Sequence, residues 1–210
     1  MQTLACARVY IVRLNFSFHS ILGADLAYLL YYIVMMLNPE ETIKPLLLLD
    51  DSRVADFGAG SGGFTLAATK YVHSGKIYAV EIQRELLPMI AGKIDAEHAG
   101  NVEVIWGNIE EMGGSKIKDS SVDAVILANT LFQLDDKRMT AREIKRVLKN
   151  GGKVLLVDWA GSFGNMGPRE EDIVPKKSAL SLFEEEGFSL QKEIPAGDYH
   201  YGMILMCGKK

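Results

Sequence analysis

The eleven residues from Arg53 to Gly63, Arg-Val-Ala-Asp-Phe-Gly-Ala-Gly-Ser-Gly-Gly, constrain the fold more than any other part of this 210-residue chain. Val54, Ala55 and Phe57 read as the end of a buried strand, and an apolar helix opens at about Phe64. Between them, Gly58, Gly60 and Gly62 occupy alternate positions. Glycine there lets the backbone turn sharply and lets a ligand approach with no Cβ in the way. The helix behind the bend begins with unpaired N–H groups.

From Asn38 onward strands and helices keep alternating, the pattern of a mostly parallel sheet with helices on both faces. The sequence predicts helices over 39–48, 64–73, 83–98, 136–148 and 175–186, with Asn150-Gly151-Gly152 and Gly187 as stops for the last two. Strands are predicted over 53–57, 76–81, 101–106, 123–128 and 153–158, and a loop rich in glycine and proline covers 160–169. Two final strands, 188–194 and 201–207, are joined by six residues. That connection is too short for a parallel crossover, so the two must run antiparallel. With 48% apolar and 24% charged residues, the length suits one α/β domain, expected over 38–210.

Residues 1–37 form an apolar extension with a different character. Leu26 to Leu37 is an unbroken apolar dodecamer, and reaching back to Ile21 gives seventeen residues around Asp25. As helix these would be about 18 Å and 25 Å long, short against a hydrocarbon core of about 30 Å. Packing on the domain or on a second copy is the favoured reading of 21–37. Membrane contact, peripheral or anchored, is the other. Cys6 and Cys207 lie at opposite ends with no metal-ligand spacing, which argues against a disulfide framework or a metal site and makes the cytosol the expected compartment. A net charge of −4 gives no electrostatic reason to expect a nucleic-acid partner.

The glycine bend alone is ambiguous, because Gly58, Gly60 and Gly63 also fit the G-x-G-x-x-G spacing of dinucleotide sites. Asp56 discriminates. A carboxylate just before the first glycine repels a pyrophosphate and favours a ligand carrying an ammonium group, by up to about 4 kcal/mol per close pair before desolvation. Asp56-Phe57-Gly58-Ala59-Gly60-Ser61-Gly62 resembles the first motif of the class I S-adenosylmethionine (SAM) methyltransferases. The resemblance runs over roughly 38–208 and takes in Arg146 to Lys153 and Glu186-Gly187-Phe188. It implies a Rossmann-like α/β fold, a seven-stranded sheet of order 3-2-1-4-5-7-6 with the last strand antiparallel. It also implies SAM as cofactor and S-adenosylhomocysteine as product.

The resemblance places Asp56, Gly58, Ala59, Gly60 and Gly62 around the amino acid end of that cofactor. At the end of the second strand, Glu81 with Ile82 stands where open nucleotide-binding sheets bond the ribose hydroxyls. Such bonds to a charged acceptor are worth about 1.5–3 kcal/mol each. Asn108 and Ile109 follow the third strand, beside the expected adenine; the family often has an acid where this chain has Asn108. Asn129 follows the fourth strand and either contacts the methionine part or simply caps the next turn.

The last hairpin turn lies at the same carboxyl edge, where ligands of open sheets bind. His200 is therefore the first candidate for a general base, with Asp198 beside it, and organising a turn is the alternative role for both. Phe132, Trp159, Tyr199 and Tyr201 are candidates to wall a substrate pocket. Asn129-Thr130-Leu131-Phe132 lacks the paired prolines of amide methyltransferases, and no cysteine stands near strands four or five for a cytosine-type nucleophile. The expectation is methyl transfer to a small molecule. The alternatives are a protein or RNA acceptor, a SAM-binding or membrane-tethered module without turnover, and an NAD-linked oxidoreductase, which Asp56 disfavours.

Overall fold

A computed structural model describes residues 37–163 and 167–208. The extension over 21–36, Cys6 and the middle of the 160–169 loop lie outside the described residues. Helix α1 (Pro39–Ile43) starts as its sequence dictates: the Asn38 side chain accepts the Glu40 and Glu41 N–H groups, and Pro39 takes the first position. The chain tightens into a 3₁₀ turn over Lys44–Leu46 and ends at Leu47 with φ of 54°, short of the helix predicted to reach 48.

Seven strands follow in one sheet of order β3-β2-β1-β4-β5-β7-β6. They are β1 (Arg53–Phe57), β2 (Lys76–Glu81), β3 (Val102–Trp106), β4 (Val122–Ala128), β5 (Leu148–Trp159), β6 (Phe188–Ile194) and β7 (His200–Cys207). The first five pair in parallel, and β7 runs antiparallel to both β5 and β6. Helices α2 (Gly63–Thr69), α3 (Leu87–Ala96), α4 (Lys137–Val147) and α5 (Lys176–Glu185) supply the outer layers. No helix among the described residues is long and apolar enough to cross a membrane.

Two buried clusters explain the layering. Phe57, Val125, Leu127 and Leu156 on one face of the sheet meet Ile144 of α4 and Phe183 of α5. On the other face Val54, Ile126 and Leu155 meet Ile43 of α1 and Phe64 and Ala68 of α2. Each large apolar side chain so buried contributes about 1.5–3 kcal/mol. Continuous apolar runs such as Val125–Leu127 are what a strand covered on both faces requires.

The structure corrects one predicted stop. Asn150-Gly151-Gly152 does not close α4; the helix ends at Val147 and β5 begins at Leu148. The register steps from Val122 opposite Leu148 to Ala124 opposite Lys153, so the glycines form a bulge in β5. Gly151 adopts φ of 75°, the left-handed conformation that a bulge of this kind asks of glycine.

A buried ion pair holds the loop after β3, which carries Asn108, against α4. Glu143 is fully buried and accepts the Gly113 N–H at 2.8 Å, the Ser115 hydroxyl at 2.5 Å and the Arg146 guanidinium at 2.7 Å. Burial pushes its carboxyl up, but the bonds from Arg146, Ser115 and Gly113 outweigh that and hold it below the usual range. Its contribution to stability is therefore present above the normal glutamate pKa and lost as acid protonates it. Arg146→Met should cost about 3–5 kcal/mol in urea denaturation at neutral pH, because it strands a buried charge. A loss below about 1 kcal/mol would show that the pair is not structural.

Candidate functional site

The parallel strands deliver their carboxyl ends to one edge, and the candidate residues gather there. The glycine bend is tied down by its own backbone. Gly58 N and Ala59 N both donate to the Val80 carbonyl, at 2.9 and 3.0 Å, and Gly62 N donates to Ala59 O at 2.8 Å. Gly60 N donates to Glu81 Oε2 at 2.8 Å. Lys93 reaches the bend but is committed to the Ser61 carbonyl at 2.7 Å. Within the bend itself the N–H groups of Gly58, Ala59, Gly60 and Gly62 are thus taken by the protein.

Two of the glycines differ in why they are glycine. A Cβ on Gly58 would lie 2.6 Å from Thr130 Oγ1, and φ there is 73°. The fold alone requires that residue. At Gly60, with φ of 55°, the nearest atom a Cβ would meet is Gly58 O at 3.9 Å. The protein leaves that space open, which fits a ligand lying against the bend.

Two carboxylates stand beneath and beside it. Asp56 is 2% exposed, on the α2 side of the sheet, and its Oδ2 accepts the Thr65 hydroxyl at 2.6 Å. Burial pushes its pKa up to about 6, with the Glu81 charge adding to the rise and both Thr65 donors opposing it. Glu81 is 4% exposed; it spends one oxygen on Gly60 N and the other on Gln83 N at 2.9 Å. Each oxygen keeps a lone pair for a ligand hydroxyl. Ile82, 52% exposed, has its carbonyl held at 3.0 Å by Trp106 Nε1, and the Arg84 guanidinium lies 3.8 Å over that indole. Sequence reasoning missed this brace; an aromatic at the end of β3 was its only signal.

Asn108 is engaged otherwise than expected. Its Oδ1 accepts the Glu110 N–H at 3.0 Å and its Nδ2 donates to Glu111 at 2.9 Å, so the side chain organises its own turn. Ile109 points into the core. Asn129 adopts φ of 53°, its N–H donates to Val157 O at 2.9 Å, and its Oδ1 is buried with no partner. An orphaned buried acceptor of this kind costs stability unless a donor arrives.

The β5–β7 end is rich in aromatic residues and holds one clamped, buried acid, Asp158. Asp158 is buried and accepts the Phe132 N–H at 3.1 Å and the Trp159 N–H at 2.8 Å, fastening the turn after β4 to β5. Burial pushes it up to about 6 against those donors. Tyr201 pairs with Asp158 across the strands; its hydroxyl is buried without a partner, and burial together with the Asp158 charge pushes its pKa up. Trp159 stacks on His200 at 4.3 Å, and Tyr199 meets Phe163, which sequence reasoning did not single out, edge-on at 4.6 Å. Asp198 and His200 do not hydrogen-bond to one another. Asp198 is exposed, neither ring nitrogen of His200 has a hydrogen-bond partner, and burial alone lowers the His200 pKa to about 4. Burial thus favours the neutral imidazole, and its ring lies against Trp159.

Residues 55–156 match a family model described as a methyltransferase domain. A demethylmenaquinone methyltransferase of Bacillus mycoides is 28% identical over 120 residues, covering 57% of this chain and 49% of that protein. The uncharacterised methyltransferase YcgJ of Bacillus subtilis is 31% identical over 108 residues, covering 51% and 41%. The chain spans about half the length of the curated relatives it matches. Among solved structures, a SAM-dependent methyltransferase from Aquifex aeolicus superposes with a TM-score of 0.75 at 25% identity, over 82% of this chain and 91% of that one. The cyclase SpnF, at 14% identity and a TM-score of 0.70 over 82% and 80%, shares the fold alone.

Keeping Asp56 ionised in the interior has a cost that a neutral isostere removes. Its folded pKa is raised, so it destabilises the fold above about pH 6 and stops doing so toward pH 4. Asp56→Asn should raise the stability of the ligand-free protein at pH 8 by up to about 2–3 kcal/mol, with the gain shrinking as pH falls toward 4. Paired urea denaturation curves at several pH values check this; a variant less stable than the parent at pH 8 would refute it.

Proposed function

Because the chain belongs to the class I SAM-dependent methyltransferases, we propose that it transfers a methyl group from SAM to a small-molecule acceptor. The observation that carries this reading is the fate of the donors in the glycine bend. Gly58, Ala59 and Gly60 spend their N–H groups on Val80 and Glu81, beside a second buried acid at Asp56. A bend built that way repels diphosphate and leaves space at Gly60 for an uncharged or cationic group. Bound SAM supplies an electrophilic methyl group on a sulfonium leaving group. In this reading Asp56 supplies a negative field under the amino acid end, Glu81 and Ile82 bind the ribose side, and Asn129 Oδ1 accepts a ligand N–H or O–H. The 108–109 turn bounds the adenine side through its backbone shape. Alignment of the two reactants contributes most of the rate, so a dedicated base is not required.

For the acceptor, the names of the relatives, demethylmenaquinone methyltransferase and ubiquinone/menaquinone biosynthesis C-methyltransferase, point to quinone-type rings. The aromatic residues near the end of β5, Trp159 against His200 and Tyr199 against Phe163, support a planar, uncharged acceptor over a cationic or phosphorylated one. We place the reaction in the cytosol, the compartment that cysteine usage suggests.

Calorimetry should find micromolar binding of SAM and S-adenosylhomocysteine. No heat with either, for folded protein, would refute the cofactor. Gly60→Ala should fold with a penalty of only about 1–2 kcal/mol for its left-handed backbone while losing at least about tenfold in affinity. Methyl-labelled SAM should then mark the small-molecule fraction of a lysate; label confined to protein or RNA would overturn the acceptor class.

A further inference from the structure

Thr65 has no place in the site as the sequence suggests it, yet it hydrogen-bonds to Asp56. It stands at the third position of α2, fully buried, with its hydroxyl 2.6 Å from Asp56 Oδ2. The helix has no side-chain cap of its own, since its N-cap is Gly62. Among the described residues, the groups that favour the charged form of Asp56 both belong to Thr65: its hydroxyl, which donates to Oδ2, and its nearby backbone N–H. The strands on either side contribute only Ala79 and Ile126 in register. Glu81 on β2 is the titratable group whose charge reaches Asp56, and it opposes ionisation.

We propose that Thr65 is a positioning residue for cofactor binding: its hydroxyl keeps Asp56 charged beneath the glycine bend and so sets the acidic limit at which the ligand's ammonium end is held. The inference rests on the proposed SAM-binding function. Its physical basis is linkage. A cationic ligand prefers the ionised acid, so binding to the protonated protein must first expel a proton, and affinity falls as pH drops through the Asp56 titration near pH 6. Removing the hydroxyl withdraws a donor that only the carboxylate form fully uses. The titration then moves up and the fall in affinity starts at higher pH. Asp56 gains no new contact in the process; only its proton affinity changes.

Two probes separate this role from simple helix packing. S-adenosylhomocysteine carries the ammonium group, and 5′-methylthioadenosine has the same nucleoside without the amino acid end. For the parent protein, affinity for S-adenosylhomocysteine should fall about tenfold between pH 7 and pH 5, while that for methylthioadenosine stays flat. Thr65→Val should shift the first profile to higher pH, weakening binding at pH 7 by at least about threefold, and leave the second unchanged. Thr65→Ser should restore the parental profile. Parallel profiles for the two probes, or a Thr65→Val profile that superimposes on the parent's, would overturn the proposal. Failure of the parent to bind either probe at any pH would instead refute the SAM-binding reading itself. Thermal melts of each variant at each pH confirm that folded protein is being compared.

Discussion

The hydrogen bonds from the glycine bend to the tip of β2 hold the ligand edge of this molecule together. Gly58 N and Ala59 N converge on one carbonyl, that of Val80, and Gly60 N closes on the Glu81 carboxylate. Those donors are satisfied inside the protein, and the two acids beside them, Asp56 and Glu81, set the charge of the bend. The same bonds leave Glu81 oriented by two N–H groups, so a ribose would meet a carboxylate already fixed in place. Preorganisation of this kind reduces the entropy that binding must otherwise overcome.

The two ends of the carboxyl edge are chemically different. Around β1 and β2 stand two buried acids and an open glycine. Around β5 and β7 stand Trp159, His200, Tyr199 and Tyr201, with Asp158 turned to backbone duty. Desolvation governs both ends but with opposite consequences. It raises Asp56, so that a cation beside it would favour its charged form, and it lowers His200, favouring the neutral imidazole. The acidic end is suited to a cationic ligand group, and the aromatic end to a neutral one.

Buried acids also set the balance of stability in this fold. Glu143 has donors enough to outweigh the cost of its burial, whereas Asp56 and Asp158 are both raised to about 6 despite their donors. The first braces the loop after β3 against α4; the other two lie at the carboxyl ends of β1 and β5. Strain retained at a ligand site and relieved elsewhere is the usual signature of function competing with stability.

Much of this could be read before any contact was known. The element order, the antiparallel final hairpin, the bend at Gly58–Gly62 and the placing of Asp56 and Glu81 at strand ends all follow from local rules: periodicity, glycine backbone freedom and loop length act within a few residues. What the tertiary structure decided was partnership. Gly58 must be glycine because Thr130 lies against it; Asn108 turns back on its own loop; Gly151 opens a bulge where a helix stop was expected; His200 stacks on Trp159 and leaves Asp198 in solvent. Burial and hydrogen-bond satisfaction depend on which distant segments meet in space, and no spacing along the chain encodes that.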